Sequence, residues 1–226
     1  MHMKITYYGH ATVGFEIDGV NVLIDPFLTS NPHTEVDPST LRPDYLLLTH
    51  AHFDHIEDVE LIAKETGATI VATHELATYY EKKGFSVHGM NIGGGHAFPF
   101  GRVTMTQAFH SSSFDMGDTP IYMGMPAGFI IETNELTLYH AGDTSLFSDM
   151  KMYGERFEID VAFLPIGDNF TMGPADALDA AQWLQAKRVV PIHFDTFPPI
   201  KQDAQAFCDQ LHRRGLMIEP NTTIEI

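Results

Sequence analysis

At 226 residues, 44% of them hydrophobic, the chain is long enough to bury a substantial core, and its composition excludes a disordered or fibrous polymer. Thirteen Lys and Arg stand against 30 Asp and Glu, a net charge of −17. The basic track that a nucleic-acid binder needs is therefore missing, the longest basic runs being the pairs Lys82-Lys83, Lys187-Arg188 and Arg213-Arg214.

A lone cysteine, Cys208, excludes an intrachain disulfide and falls in a helical pattern, where core packing is its expected role. The start, Met1-His2-Met3-Lys4-Ile5, enters a strand pattern without the apolar stretch of a signal peptide, and no apolar run reaches the length of a membrane span. The expectation is a cytoplasmic protein with one domain over residues 1–226 and no linker. A small-molecule substrate is the expected partner, not nucleic acid or a membrane, and a homo-oligomer is left open.

In chain order, residues 5–8, 13–17 and 20–24 read as strands, with Asp18-Gly19 as a hairpin turn and Pro26 as the stop. Residues 27–43 are a Pro/Thr/Ser-rich loop, and Tyr45-Leu46-Leu47-Leu48 is a buried strand. A helix is predicted over 56–65 and ends at Gly67; a strand follows over 69–72, then a helix over 75–83 with Gly84 as its stop. Gly93-Gly94-Gly95 is a turn with no phosphate-loop pattern around it, and strands return at 103–108, 128–132 and 136–140. The rest alternates: strand 161–164, helix 174–185 with Pro174 in its first turn, strand 188–192, helix 201–214, strand 222–226.

The chemistry is concentrated after the strand at 45–48. His50-Ala51-His52-Phe53-Asp54-His55 places four metal-capable side chains in six residues at a strand end. Imidazole and carboxylate suit Zn, Mn, Fe, Ni or Co and need no thiolate. Three further polar residues stand at strand ends downstream, in Phe109-His110-Ser111, Ala141-Gly142-Asp143 and Pro191-Ile192-His193. Taken singly, each is an ordinary solvated histidine or turn aspartate.

Together, His50-x-His52-x-Asp54-His55 and the later His110, Asp143 and His193 resemble the signature of the metallo-β-lactamase superfamily, from about residue 4 to 226. The resemblance implies an α/β, four-layer αβ/βα sandwich. It implies two divalent transition-metal ions, zinc foremost with Mn, Ni or Fe as alternatives: His50, His52 and His110 on the first, Asp54, His55 and His193 on the second, and Asp143 bridging. It further implies that Asp25, ending the strand at 20–24, orients a ligating histidine through its second ring nitrogen. The segment Gly9-His10-Ala11 is similar to a compact branch of bacterial metal-dependent hydrolases related to ascorbate-6-phosphate lactonase. There His10 stands near the site and contacts substrate, unless it is a buried structural histidine. The segment His193-Phe194-Asp195-Thr196 is similar to the same branch, with Asp195 supporting His193.

Asp168, Asn169 and Thr171 precede the helix at 174 and are substrate-pocket candidates for an anionic or carbonyl group, with a plain turn and cap as the competing reading. Met116, Met123 and Met125 either line an adaptable apolar pocket or pack a loop. The expected activity is hydrolysis of an ester, lactone or phosphoester of a small substrate by a metal-bridging hydroxide, with Asp54 handling the proton and His10 assisting. The family's β-lactamases usually carry Cys where Asp143 stands, which argues against a β-lactam substrate. The alternatives are a metal-dependent nuclease or phosphodiesterase, and a non-catalytic metal-binding protein.

Overall fold

The computed structural model describes residues 3–115, 117 and 119–226. A seven-stranded sheet takes its strands from the first half of the chain and the last few residues: β1 (Lys4–Tyr7), β2 (Val13–Ile17), β3 (Val20–Ile24), β4 (Tyr45–Leu47), β5 (Thr69–Thr73), β6 (Val87–Met90) and β15 (Thr222–Glu225). A six-stranded sheet holds β7 (Gly95–Phe98), β8 (Gly101–Gln107), β11 (Ala127–Glu132), β12 (Thr137–His140), β13 (Val161–Pro165) and β14 (Arg188–Ile192). A separate hairpin pairs β9 (Ser113–Asp115) with β10 (Pro120–Tyr122).

Three apolar clusters define four layers. The first lies between the sheets and draws Ile5, Val13 and Leu47 from one sheet and Val103, Phe129 and Phe163 from the other. The second covers the outer face of the six-stranded sheet with α4 (Met150–Arg156), α5 (Pro174–Leu184) and α6 (Ala204–Gln210). The third covers the seven-stranded sheet with α1 (Phe53–Ile56), α2 (Val59–Thr66) and α3 (His74–Lys82). The αβ/βα sandwich expected from the sequence is thus observed. Phe129, fully buried between the sheets, is one of its anchors, and truncation to Ala would cost about 3–5 kcal/mol.

Strand direction sets where the site forms. β1 and β3 both run antiparallel to β2, and β3 pairs parallel with β4, so β1, β3 and β4 end on the same side. β8 and β12 both run antiparallel to β11, and β12, β13 and β14 are parallel, so β8, β12 and β14 also share a direction. His10, Asp25 and His50–His55 follow the strand ends of one sheet; His110, Asp143 and His193 follow those of the other.

Four local departures from the sequence reading have physical causes. The helix expected over 56–65 is two pieces, because Asp58 at the junction turns its carboxylate onto the Leu28 and Thr29 N–H groups at 2.7 and 3.0 Å. The helix expected over 201–214 begins only at Ala204, where Asp203 accepts from Ala206 N–H, and it breaks where His212 takes φ 53°. The helix α4 was not expected, because Gly154 interrupts it; that glycine lets α4 approach α5 so closely that a Cβ would sit 2.2 Å from the Trp183 carbonyl oxygen. Gly95, read as a turn, opens strand β7. No helix among the described residues is long and apolar enough to cross a membrane.

Candidate metal centre

The ligating atoms of all seven sequence candidates converge. His50 Nε2 lies 3.0 Å from His52 Nδ1, which lies 3.2 Å from His110 Nε2. On the other side, Asp54 Oδ2 is 3.6 Å from His193 Nε2 and 3.9 Å from His55 Nε2. Asp143 Oδ2 stands between them, at 3.9 Å from His50 Nε2, 3.6 Å from His110 Nε2, 3.4 Å from His55 Nε2 and 2.9 Å from His193 Nε2. Gly142 makes this delivery possible: its φ is 63°, and a Cβ there would lie 2.5 Å from the Ala127 carbonyl oxygen.

Hydrogen bonds behind the cluster fix which nitrogen of each imidazole is bare. Asp25 is fully buried; its Oδ2 pairs with His55 Nδ1 at 2.7 Å and accepts the Thr49 hydroxyl at 2.6 Å, while its Oδ1 accepts the Thr49 N–H at 2.8 Å. The Thr49 hydroxyl, having donated to Asp25, is left to accept from His50 Nδ1 at 2.9 Å. One buried carboxylate thereby turns the Nε2 atoms of both His50 and His55 toward the centre, the arrangement that metal-ligating histidines require. His52 is turned the other way, with Nε2 on the Ser111 hydroxyl at 3.2 Å and Nδ1 facing inward. The sequence reading found Asp25 but missed Thr49 and Ser111, whose residue type alone carries no signal.

Asp25, His10 and His193 all adopt left-handed backbone conformations, with φ of 46°, 53° and 54°. The surrounding bonds hold them there. Thr12 donates its hydroxyl to the Asp25 carbonyl at 2.7 Å, and the His193 N–H donates to the His10 carbonyl at 2.8 Å, stitching the two sheets together beside the cluster.

Two expectations are corrected. His10 is sealed from solvent, its Nδ1 2.7 Å from the Thr196 hydroxyl and its Nε2 2.9 Å from Asp54 Oδ2. Neither nitrogen is left for a substrate; His10 instead holds Asp54, and Thr196 was not foreseen as its support. Asp195 does not support His193: its Oδ1 accepts the Gln202 N–H at 2.8 Å, and His193 Nδ1 has no partner among the described residues. Asp195 itself sits at φ 60° in the turn after His193, which aims its carboxylate away.

Asp168, Asn169 and Thr171 form a tight turn. The Thr171 N–H donates to the Asp168 carbonyl at 2.9 Å, and the Met172 N–H ties the turn to the Thr144 carbonyl beside Asp143. Among the described residues, no hydrogen bond or ion pair joins these three side chains to the cluster. Of the three methionines, Met123 is buried and Met125 is exposed, whereas Met116 lies outside the described residues.

Electrostatics divides the cluster. Burial, reinforced by neighbouring imidazoles, depresses His50, His52 and His110 below the ordinary histidine range and leaves them neutral. Burial also opposes the charging of His55 and His193, but Asp143 and the other carboxylates outweigh it, raising His55 well above its usual value and His193 to about 9. Asp54 and Asp143 resist the upward pull of burial because the same imidazoles hold them ionised. His10 is lowered to about 3, mainly by burial and next by His193, so it is a neutral donor to Asp54.

These residues fit divalent cations. His55 Nε2 and Asp143 Oδ1 are buried polar atoms with no hydrogen-bond partner among the described residues, and such atoms are costly unless something binds them. The donor set is all nitrogen and oxygen, and among the described residues three overlapping groups bring ligand atoms within 4.8 Å of one another: His50, His52 and His110; His10, Asp54, His55 and His193; and Asp25, His50 and His55.

Comparison with known proteins agrees. A family described as the beta-lactamase superfamily domain matches residues 20–194. A UPF0173 metal-dependent hydrolase from Exiguobacterium sp. (strain ATCC BAA-1283 / AT1b) is 96% identical over 224 residues, covering 99% of this chain and 100% of that protein. Its counterpart in Bacillus subtilis (strain 168) is 50% identical over 227 residues, with 99% and 100% covered. Among solved structures, Igni18, a novel metallo hydrolase from the hyperthermophilic archaeon Ignicoccus hospitalis, matches with a TM-score of 0.91 at 36% identity, over 100% of this chain and 99% of its own. With histidines and carboxylates gathered at the strand ends of an αβ/βα sandwich, the chain belongs to the beta-lactamase superfamily and is a metal-dependent hydrolase of the UPF0173 group.

Proposed function

We propose that the chain binds two divalent transition-metal ions, zinc foremost, and cleaves an ester, lactone or phosphoester bond of a small substrate. His50 Nε2, His52 Nδ1 and His110 Nε2 would hold one ion, and Asp54, His55 Nε2 and His193 Nε2 the other. The observation that carries this reading is the position of Asp143 Oδ2, within 2.9–3.9 Å of ligand nitrogens from both groups, where a single carboxylate would serve two ions. Bound there, two such ions would acidify a water between them toward neutrality and polarise the substrate oxygen.

The protein's own part is positional. Asp25 and Thr49 keep His50 and His55 in the right tautomer, and His10 Nε2–H holds Asp54 Oδ2 at 2.9 Å. About 20% of the Asp54 side chain is exposed against 3% for Asp143, so Asp54 is the acidic ligand placed to receive a proton from an attacking water.

The test is elemental analysis of protein purified without chelator, followed by turnover of p-nitrophenyl acetate, a lactone panel and bis-p-nitrophenyl phosphate with and without chelator. About two ions per chain and chelator-sensitive turnover are expected. One ion or none after reconstitution with Zn, Mn or Ni overturns the dinuclear reading. Turnover confined to the phosphodiester would favour the phosphodiesterase alternative.

A further inference from the structure

Eight large hydrophobic side chains are exposed among the described residues, and six of them lie on segments that border the candidate metal centre. Phe53 lies between the ligands His52 and Asp54 and is 56% exposed; Phe109 precedes His110 and is 55% exposed. Phe170, 54% exposed, tips the turn that Met172 ties to Thr144, next to Asp143. Ile121, Tyr122 and Met125 come from the β9–β10 hairpin and the segment that follows it. Leu61 and Met152, the other two, lie away from it on α2 and α4. Scattered exposed apolar residues are normal, but a concentration around one site is not.

The hairpin's placement is built in. Its inward residues, Phe114 and Met123, pack on the α3 side of the molecule, Phe114 against Tyr79 with ring centroids 5.6 Å apart. The Met123 N–H donates to the Ser112 carbonyl at 3.1 Å. Alternation along the strand then leaves Tyr122 outward, 67% exposed. Between the hairpin and the ligand His110 lies a pocket of about 610 Å³ lined by Ser111, Ser112, Tyr122, Met125 and Pro126. Among the described residues, no Lys, Arg, Asp or Glu lines it. A phosphate or carboxylate entering here would find serine hydroxyls but no cation beyond the metals, on a chain that already carries a net charge of −17.

We infer that the substrate is a neutral carbonyl compound with an apolar arm, the carbonyl directed to the metal centre and the arm laid in the pocket against Tyr122 and Met125. This rests on the hydrolase reading and narrows it: an uncharged ester, lactone or amide is accepted, and a substrate bearing its own phosphate or carboxylate is disfavoured. Phe53, Phe109 and Phe170 complete an apolar collar that excludes water from the reacting bond.

The inference is read by binding, independently of turnover. Zinc-loaded protein is titrated calorimetrically with acetohydroxamate, octanohydroxamate and the octanohydroxamate analogue that ends in a carboxylate, with chelator-treated protein as the blank. All three present the same metal-binding head. Full burial of a methylene is worth about fourfold in affinity, so even a partly open pocket should favour octanohydroxamate over acetohydroxamate by about tenfold or more. The terminal carboxylate should remove most of that gain. Tyr122→Ser and Met125→Ser should each shrink the ratio, whereas Leu61→Ser and Met152→Ser should leave it intact. A ratio near one, or tighter binding of the carboxylate analogue, overturns the inference. So does concentration-dependent dimerisation that Tyr122→Ser abolishes, because a second copy would then be the collar's occupant. Absence of any turnover with the ratio intact would overturn the hydrolase reading alone.

Discussion

The two halves of the ligand cluster differ in how they are held. His55 and His193 are almost completely buried, and His55 is braced by Asp25, itself fixed by two bonds from Thr49. Asp54 on the same side is gripped by His10, which Thr196 supports from behind. His52 and His110 are only partly buried; the recorded support for His52 is one hydroxyl, Ser111, on the wall of the pocket. One half is a rigid cradle of ionised groups. The other is neutral, with His50 buried against Thr49 and with His110, and His52 through Ser111, bordering the pocket. If two ions bind as proposed, the difference teaches a division of labour, in which the buried half would secure one ion and the half nearer the pocket would present the other to substrate.

Asp143→Ala should break the comparison altogether, because both halves lean on its Oδ2. Metal content should fall to one ion or less, and kcat/KM should drop by more than the roughly 10–100-fold that supporting residues command. Elemental analysis and kinetics on the same folded sample decide it, and a variant with both ions and near-normal turnover would refute the bridging role.

Asp25→Ala and Ser111→Ala compare the two supports directly. Losing Asp25 strands a buried imidazole N–H and the Thr49 donors, so metal affinity should fall by about 10–100-fold and stability by about 1–3 kcal/mol. Losing Ser111, which borders solvent, should cost about 0.5–1.5 kcal/mol of interaction at most. Competition with a chromogenic chelator and urea unfolding give both numbers; equal losses would erase the distinction.

His10→Ala should lower kcat by about tenfold or more while His50, His52 and His110 retain their ion, since Asp54 would lose its anchor. Unchanged kcat with lowered stability would reduce His10 to a packed histidine. Thr196→Val, one step further out, should give the same signature at smaller size.

A pH dependence of the metal-free protein is also expected. His193 binds its proton more tightly in the folded chain, at about 9 against an ordinary 6.5. Its contribution to stability is therefore fully present below about 6.5 and is lost as pH rises toward 9. Thermal unfolding of the metal-free protein should show this decline, whereas loaded protein, with that nitrogen on a metal, should not.

The convergence of the seven candidate ligands was legible because imidazoles and carboxylates at successive strand ends are rare and their order is specific. Asp25 was legible only through the family resemblance, since its place after a buried strand fits a turn aspartate equally well. Thr49, Ser111 and Thr196 were not, since hydroxyl residues occur in every loop and only the folded geometry selects these three. His10 was located but given the wrong task, because sequence shows that it is near the site and not which way its nitrogens face. In the fold, strongly patterned strands such as Val20–Ile24 and Val161–Pro165 were readable. Short edge strands such as β6, β7, β9 and β10, and the glycine-bearing α4, were not, because contacts distant in sequence determine them.

The ligands are divided between the sheets: His50, His52, Asp54 and His55 hang from one, His110, Asp143 and His193 from the other. Any ion held as described must therefore grip both layers at once, and its binding energy becomes cohesion of the sandwich. That cohesion grows with free metal as RT ln(1 + [M]/Kd), about 2.7 kcal/mol at a hundred times Kd. A cell's metal supply would then influence how stably this protein is folded as well as how fast it works.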